Sequence, residues 1–185
     1  AGLEAILCSS ASQEIKVALL ENLNRMVSAT ALGQYWDVQN PDTESGYWAV
    51  VHAKSAPFFG SAFLCGALLG HADADVAAAL ERLGEIYGVL IQLYDDANDA
   101  LAVPANTDWL SGRQSLPFLY ALHTDHPDRK RFTALRHRVE DKDALTEAQE
   151  ILIHSGAISY VIYQLLEHHR EASQVLRSLA LPAGH

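Results

Sequence analysis

Ile86-Tyr87-Gly88-Val89-Leu90-Ile91-Gln92-Leu93-Tyr94-Asp95-Asp96-Ala97-Asn98-Asp99 passes from a nearly unbroken apolar segment into three carboxylates. A helix from about Asp73 to Ala100 accounts for the stretch. Asp73 and Asp75 stand at its start, where the macrodipole favours acids. At 3.6 residues per turn, Asp95 and Asp99 then lie one turn apart on one face, with Gln92 just before them. Like charges at that spacing repel by a few tenths of a kcal/mol. Beside apolar residues the burden grows, because a desolvated carboxylate needs a compensating charge or takes up a proton. A divalent cation supplies that charge. Oxygen-only ligands suit Mg²⁺, which keeps several waters and bridges one or two carboxylates to a substrate phosphate. The plainer reading is a solvated acidic helix end, although acids there oppose the macrodipole. An EF-hand loop does not fit, since the Gly and the distant Glu that it requires are missing.

Outward from this stretch, every segment has helical spacing. Leu3 to Ser9 reads as a helix tail, and Ser10-Ala11-Ser12-Gln13 offers a capped start to a long second helix. Its apolar stripe is Ile15, Leu19, Leu23, Met26, Val27, Thr30 and Leu32. Near its end, Gln34 and Asp37 are three apart and share a face. Asn40-Pro41-Asp42 breaks the helix, and Thr43-Glu44-Ser45 opens the next, which runs to Lys54-Ser55-Ala56. A helix rich in small residues follows, with Gly60, Ser61, Ala62, Gly66 and Ala67 suited to close helix approach. Beyond the central helix comes a turn-rich loop, Val103 to Asp108, and a short apolar helix, Phe118 to Leu122. A basic helix follows, then two final helices over about Leu145 to His154 and Gly156 to Leu179. No segment alternates as a strand does, so the fold class is all-α, a single domain over residues 1–185.

The 185 residues are 49% hydrophobic and 19% charged, enough for one sizeable core. A net charge of −10 argues against a nucleic-acid partner. Five of the thirteen Lys and Arg fall between Arg129 and Arg138, a run that reads as a solvated helix face. Cys8 and Cys65 lack metal spacing and read as buried free thiols in a reducing, cytoplasmic setting. No apolar run reaches the roughly 20 residues of a transmembrane helix. The nine histidines form no helical metal pair with a carboxylate partner. GxSxG, P-loop and GxGxxG patterns are all absent.

Five motifs in one order resemble the trans-isoprenyl diphosphate synthases, the polyprenyl synthases. Gly33-Gln34 with Asp37 resembles GQxxD, and Lys54-Ser55-Ala56 resembles KTA. Gly88 to Asp99 resembles the second aspartate-rich motif, GxxFQxxDDxxD. Asp108 to Pro117 resembles DLxxGKxTLP, and Ser155-Gly156-Ala157 with Tyr160 resembles the SGA segment. The resemblance implies an orthogonal helical bundle around a central cavity, usually a homodimer. It implies a Mg²⁺-dependent prenyltransferase that ionises an allylic diphosphate and joins it to isopentenyl diphosphate. By the same resemblance Asp95 binds a Mg²⁺ directly, and Asp96 and Asp99 hold its waters. Lys54 and Ser55 contact the allylic diphosphate, Gln92 lines the pocket, and Gln34 and Asp37 support it. Arg113 stands where the family has a diphosphate-facing Lys, with its charge kept and its geometry changed.

The departures are Ser55 in place of Thr, Ile91 in place of the aromatic, and no first DDxxD or GGKR-like isopentenyl site. The chain also starts mid-helix at Ala1 without a Met. The expectation is therefore the C-terminal part of such a synthase, with N-terminal helices missing. The alternatives are an accessory, non-catalytic subunit of a heteromeric synthase, or a class I terpene cyclase or peptide prenyltransferase on the same fold.

Overall fold

The computed structural model describes residues 2–179, which form ten α-helices and no strand, as the spacing predicts. They are α1 (Gly2–Cys8), α2 (Gln13–Val38), α3 (Glu44–Lys54), α4 (Ala56–Leu69), α5 (Ala74–Ala100), α6 (Thr107–Ser111), α7 (Leu116–His123), α8 (Arg129–Leu135), α9 (Lys142–His154) and α10 (Ala157–Ser178). The chain divides into two compact units. The first comprises Ala1–Tyr35, Val50–Val89 and His168–His185; the second comprises Trp36–Ala49 and Leu90–Glu167.

In the first unit, the helices meet where side chains are smallest. A Cβ on Gly33 would fall 2.5 Å from the Lys54 nitrogen, and one on Gly84 would fall 2.5 Å from the Phe59 carbonyl oxygen. One on Gly88 would stand 2.6 Å from the Ser55 carbonyl oxygen. Backbone thus packs on backbone where α2 meets the end of α3 and where α5 meets α4 and the residue before it. Gly60 takes part as expected, its Cβ position 2.8 Å from Glu85 Cγ, but Gly66 faces open space. Buried Asn22 donates to the Ser61 carbonyl (3.0 Å) and to Cys65 Sγ (3.2 Å), linking α2 to α4.

Two expectations hold only in part here. The apolar stripe of α2 is covered at five of its seven positions: Leu19 is buried, Ile15, Leu23, Met26 and Thr30 are half-buried, and Val27 and Leu32 are exposed. Val27 and Leu32 lie off the covered face, which runs through Leu19, Met26 and Gly33. Cys8 is exposed, because α1 buries no residue, while Cys65 is half-buried; both are free thiols.

The second unit has a conventional aromatic centre. Trp109, Phe118 and Phe132 are buried, with ring centroids 4.4 Å apart for Trp109–Phe118 and 6.2 Å for Trp109–Phe132. Ala148, Leu152 and Ala157 complete the packing from α9 and α10. The loop expected over Val103 to Asp108 holds through Asn106, and its last two residues belong to α6 instead. Asn106 caps that helix by accepting from the Trp109 N–H, Gly112 closes it at φ 71°, and the Trp109 indole N–H donates to the Ala100 carbonyl.

The solvated basic face needs correction at one position. Arg136 is half-buried, donates to the Arg113 carbonyl (2.7 Å) and to Gln114 Oε1 (3.2 Å), and lies 4.7 Å from the Phe118 ring centroid. Arg129, Lys130, Arg131 and Arg138 are exposed, as expected. Among the described residues, no helix is long and apolar enough to cross a membrane.

Candidate active site

Helix α5 buries Ile86, Val89, Leu93, Asp96 and Ala100, a stripe with steps of three, four, three and four. A carboxylate therefore occupies one position of an otherwise apolar face. Asp95 and Asp99 project elsewhere on the helix, the first exposed and the second half-exposed. Three acids that form one run in sequence thus meet two environments.

Asp96 is 2% exposed. Its Oδ1 accepts from the Gln92 amide at 2.8 Å, and its Oδ2 accepts from the Leu116 N–H at 3.3 Å. Leu116 begins α7, whose N-cap residue Ser115 makes no side-chain cap. The Asp96 carboxylate supplies the acceptor instead, at the end of the helix that favours negative charge. Burial pushes the Asp96 carboxyl above its usual range, while Gln92, Tyr47, the Leu116 N–H and Arg113 act to lower it. The Tyr47 hydroxyl is buried beside Asp96 and makes no hydrogen bond of good geometry. Burial, then the Asp96 charge, raises it well above the ordinary tyrosine value.

The Arg113 guanidinium donates to Asp37 Oδ1 at 3.0 Å and lies 3.7 Å from Asp108 Oδ2. Asn40 fastens the same loop, donating to the Gly112 carbonyl (3.1 Å) and accepting from the Gln114 N–H (2.8 Å). Asp37, Asp108 and Arg113 line a cavity of about 340 Å³ together with Asn40, Thr107 and Ser111.

In the first unit, Lys54 ends α3 and Ser55 stands at the N-cap of α4. Both are half-buried, and the glycines at 33 and 88 admit their backbone at contact distance. Gln34 is exposed on α2.

The structure thus joins Asp37 to Arg113 and Gln92 to Asp96. It sets Asp95 and Asp99 on α5 as an acidic pair, and among the described residues no group of three or more His, Cys, Asp and Glu could hold a metal ion. Sequence reasoning missed Tyr47, Asn40 and Arg136. Asn40 stood only as part of a helix break, and its φ of 50° is the kind of backbone that Asn tolerates. Tyr47 and Arg136 gave no signal beyond an apolar position and a basic run.

The family model for polyprenyl synthetase matches residues 3–152. The chain belongs to the polyprenyl synthetase family. It is 27% identical to the short chain isoprenyl diphosphate synthase of Methanothermobacter thermautotrophicus, over 95% of this chain and 57% of that protein. With the nonaprenyl diphosphate synthase of Mycobacterium tuberculosis it shares 31% identity, over 77% of this chain and 44% of the relative. The chain therefore spans about half the length of these polyprenyl synthetase relatives. Among solved structures, the geranylgeranyl pyrophosphate synthetase of Pyrococcus horikoshii superposes with a TM-score of 0.85 at 23% identity, over 98% of this chain and 58% of that one. That likeness establishes the all-α fold of the isoprenyl synthases. The polyprenyl synthase of Caulobacter crescentus, solved in complex with calcium and isoprenyl diphosphate, matches at a TM-score of 0.78 and 26% identity, over 90% and 54% of the two chains.

Proposed function

We propose that the protein is a prenyltransferase that condenses an allylic prenyl diphosphate with isopentenyl diphosphate, and that this chain carries a metal- and diphosphate-binding wall of its active site. The observation that carries the reading is the pair Asp95 and Asp99, one turn apart on α5 and open enough to take an ion with its waters. Mg²⁺ fits this donor set: the ligands are hard oxygens only, and two carboxylates leave the remaining positions to water and phosphate. When bound, the ion neutralises the charge that builds on the departing diphosphate. The identities of the relatives and the calcium and isoprenyl diphosphate complex of the Caulobacter crescentus protein support the same chemistry.

Within this reading each side chain has a task. Asp95 and Asp99 hold the metal. Lys54 and the Ser55 hydroxyl contact the allylic diphosphate oxygens, Lys54 as a point charge where negative charge develops. Gln92 lines the pocket. Arg113, kept in place by Asp37 and Asp108, turns one face of its guanidinium fork to phosphate. The protein works as a homodimer in the cytoplasm.

Turnover of the full-length protein with an allylic diphosphate, isopentenyl diphosphate and Mg²⁺ tests the proposal. Asp95→Ala is expected to lower it at least about 100-fold, as loss of a transition-state charge contact does. Near-normal turnover in that variant would remove the carboxylate from the chemistry.

A further inference from the structure

Two of the three acids of the α5 cluster are accessible, and the third is enclosed with its donors already in place. Asp96 sits in the apolar stripe of α5 between Leu93 and Ala100, both fully buried. Each of its oxygens already accepts one hydrogen bond, from the Gln92 amide at 2.8 Å and from the Leu116 N–H at 3.3 Å. Those partners belong to different elements, and Tyr47 on α3 borders the same carboxylate. A hydrated cation needs room for its waters, and Asp96 offers almost no accessible surface.

We infer that Asp96 is a positioning residue that ties the N-terminus of α7 and the Gln92 amide to the acidic turn of α5, and that metal binding on this turn belongs to Asp95 and Asp99 alone. The second half of this inference rests on the reading of the turn as a metal and diphosphate site. The first half stands on hydrogen bonding. Leu116 heads the helix that follows the Arg113 loop, so the same carboxylate fixes where that loop ends. A neutral amide can take over the task. Asparagine keeps one oxygen for the Leu116 N–H, and the Gln92 amide can turn to present its carbonyl to the new NH₂ group. Alanine offers neither contact and leaves a buried N–H unpaired.

The test compares Asp95→Asn, Asp99→Asn, Asp96→Asn and Asp96→Ala in the 185-residue chain. Mn²⁺ with inorganic pyrophosphate serves as the probe, followed by the electron paramagnetic resonance of the free ion. Asp96→Asn is expected to hold Mn²⁺ at least about tenfold more tightly than either Asp95→Asn or Asp99→Asn. Equal losses in Asp96→Asn and Asp95→Asn would overturn the inference.

Hydrogen exchange at the Leu116 amide gives the second readout. It is expected to quicken about tenfold or more in Asp96→Ala and to stay within about threefold of the parent in Asp96→Asn. Unchanged exchange in Asp96→Ala would overturn the anchor. Should Asp96→Ala not fold, the Asp96→Asn measurements decide alone. A parent chain that takes up no Mn²⁺ with pyrophosphate would defeat the metal reading of the turn, and with it the assignment of metal to Asp95 and Asp99; the Leu116 exchange would still decide the anchor.

Discussion

Around Lys54 the backbone itself is the contact surface, whereas in the unit that carries Asp95 aromatic side chains fill the interior. In the first unit, Gly33, Gly84 and Gly88 let one helix touch the main chain of another, and a single added carbon would fall within 2.6 Å of a backbone atom in each case. In the second, Trp109, Phe118 and Phe132 bury whole rings. The difference separates position from stability. Backbone contact holds the main chain of Lys54 and Ser55 against atoms that cannot swing aside, and a glycine adds no apolar side chain to the buried surface. Ring burial in the second unit contributes at about 25 cal/mol per Å² of apolar surface and fixes no polar group by itself. In the second unit a polar connector, Asp96, links α5 to the start of α7.

The contrast breaks most visibly at Trp109. Trp109→Ala removes the 1%-exposed ring and its hydrogen bond to the Ala100 carbonyl. It is expected to lower stability by about 3–5 kcal/mol, measured by urea unfolding. A loss under about 1 kcal/mol would mean that the rings are not what holds the second unit together.

The glycines provide a sharper and smaller test. Gly33→Ala is expected to cost about 1–3 kcal/mol, because its Cβ would meet the Lys54 nitrogen and Cα, atoms that cannot swing aside. It should also weaken pyrophosphate binding by shifting Lys54. Gly66→Ala is the control on α4, where nothing lies within 4 Å. There the methyl group restricts the unfolded chain and favours the helix, so a gain of about 0.5–1 kcal/mol is expected. Paired thermal melts and pyrophosphate titrations decide. Equal effects at the two positions would show that close approach is not what the glycines provide.

Helix positions were legible in the sequence wherever local chemistry sets them. The central helix expected from Asp73 to Ala100 is α5, Ala74–Ala100, because acids at its start and an apolar period along its length act within one segment. The Ser12 start is also real: the Ser12 hydroxyl accepts from the Ile15 N–H at 3.3 Å. What the sequence concealed depends on partners far along the chain. Asp95 and Asp99 share a face by spacing alone, yet only the stripe through Leu93 and Ala100 reveals that Asp96 points inward. Treating the three acids as one cluster hid that stripe. Arg136 looks like its basic neighbours until Gln114 and Phe118 are brought beside it. The exposure of Val27 and Leu32 could not be read either, since an apolar period tells which residues could be covered and not which are.

The smallest expected effect separates the two units by pH. His52, on the exposed side of α3, feels the charges of His168 and Glu171 of α10 and of Arg82 and Glu85 of α5, all in the first unit. Burial lowers its pKa, His168 and Arg82 lower it further, and Glu85 and Glu171 oppose them. The folded chain therefore binds a proton at His52 less readily than the unfolded chain, whose histidines titrate near 6.5. The contribution to stability is present above about pH 6.5 and is lost as pH falls from there toward the lowered value of the folded state. Trp36, Trp48 and Trp109 all belong to the second unit, and the chain has three tryptophans, so their fluorescence reports that unit alone. Circular dichroism reports helices in both. On thermal melts below pH 6.5, the helical signal is expected to fall before the fluorescence changes, and His52→Gln is expected to narrow that gap. Coincident signals at every pH would mean that the glycine-packed and ring-packed regions unfold as one, and that His52 destabilises both through a single transition.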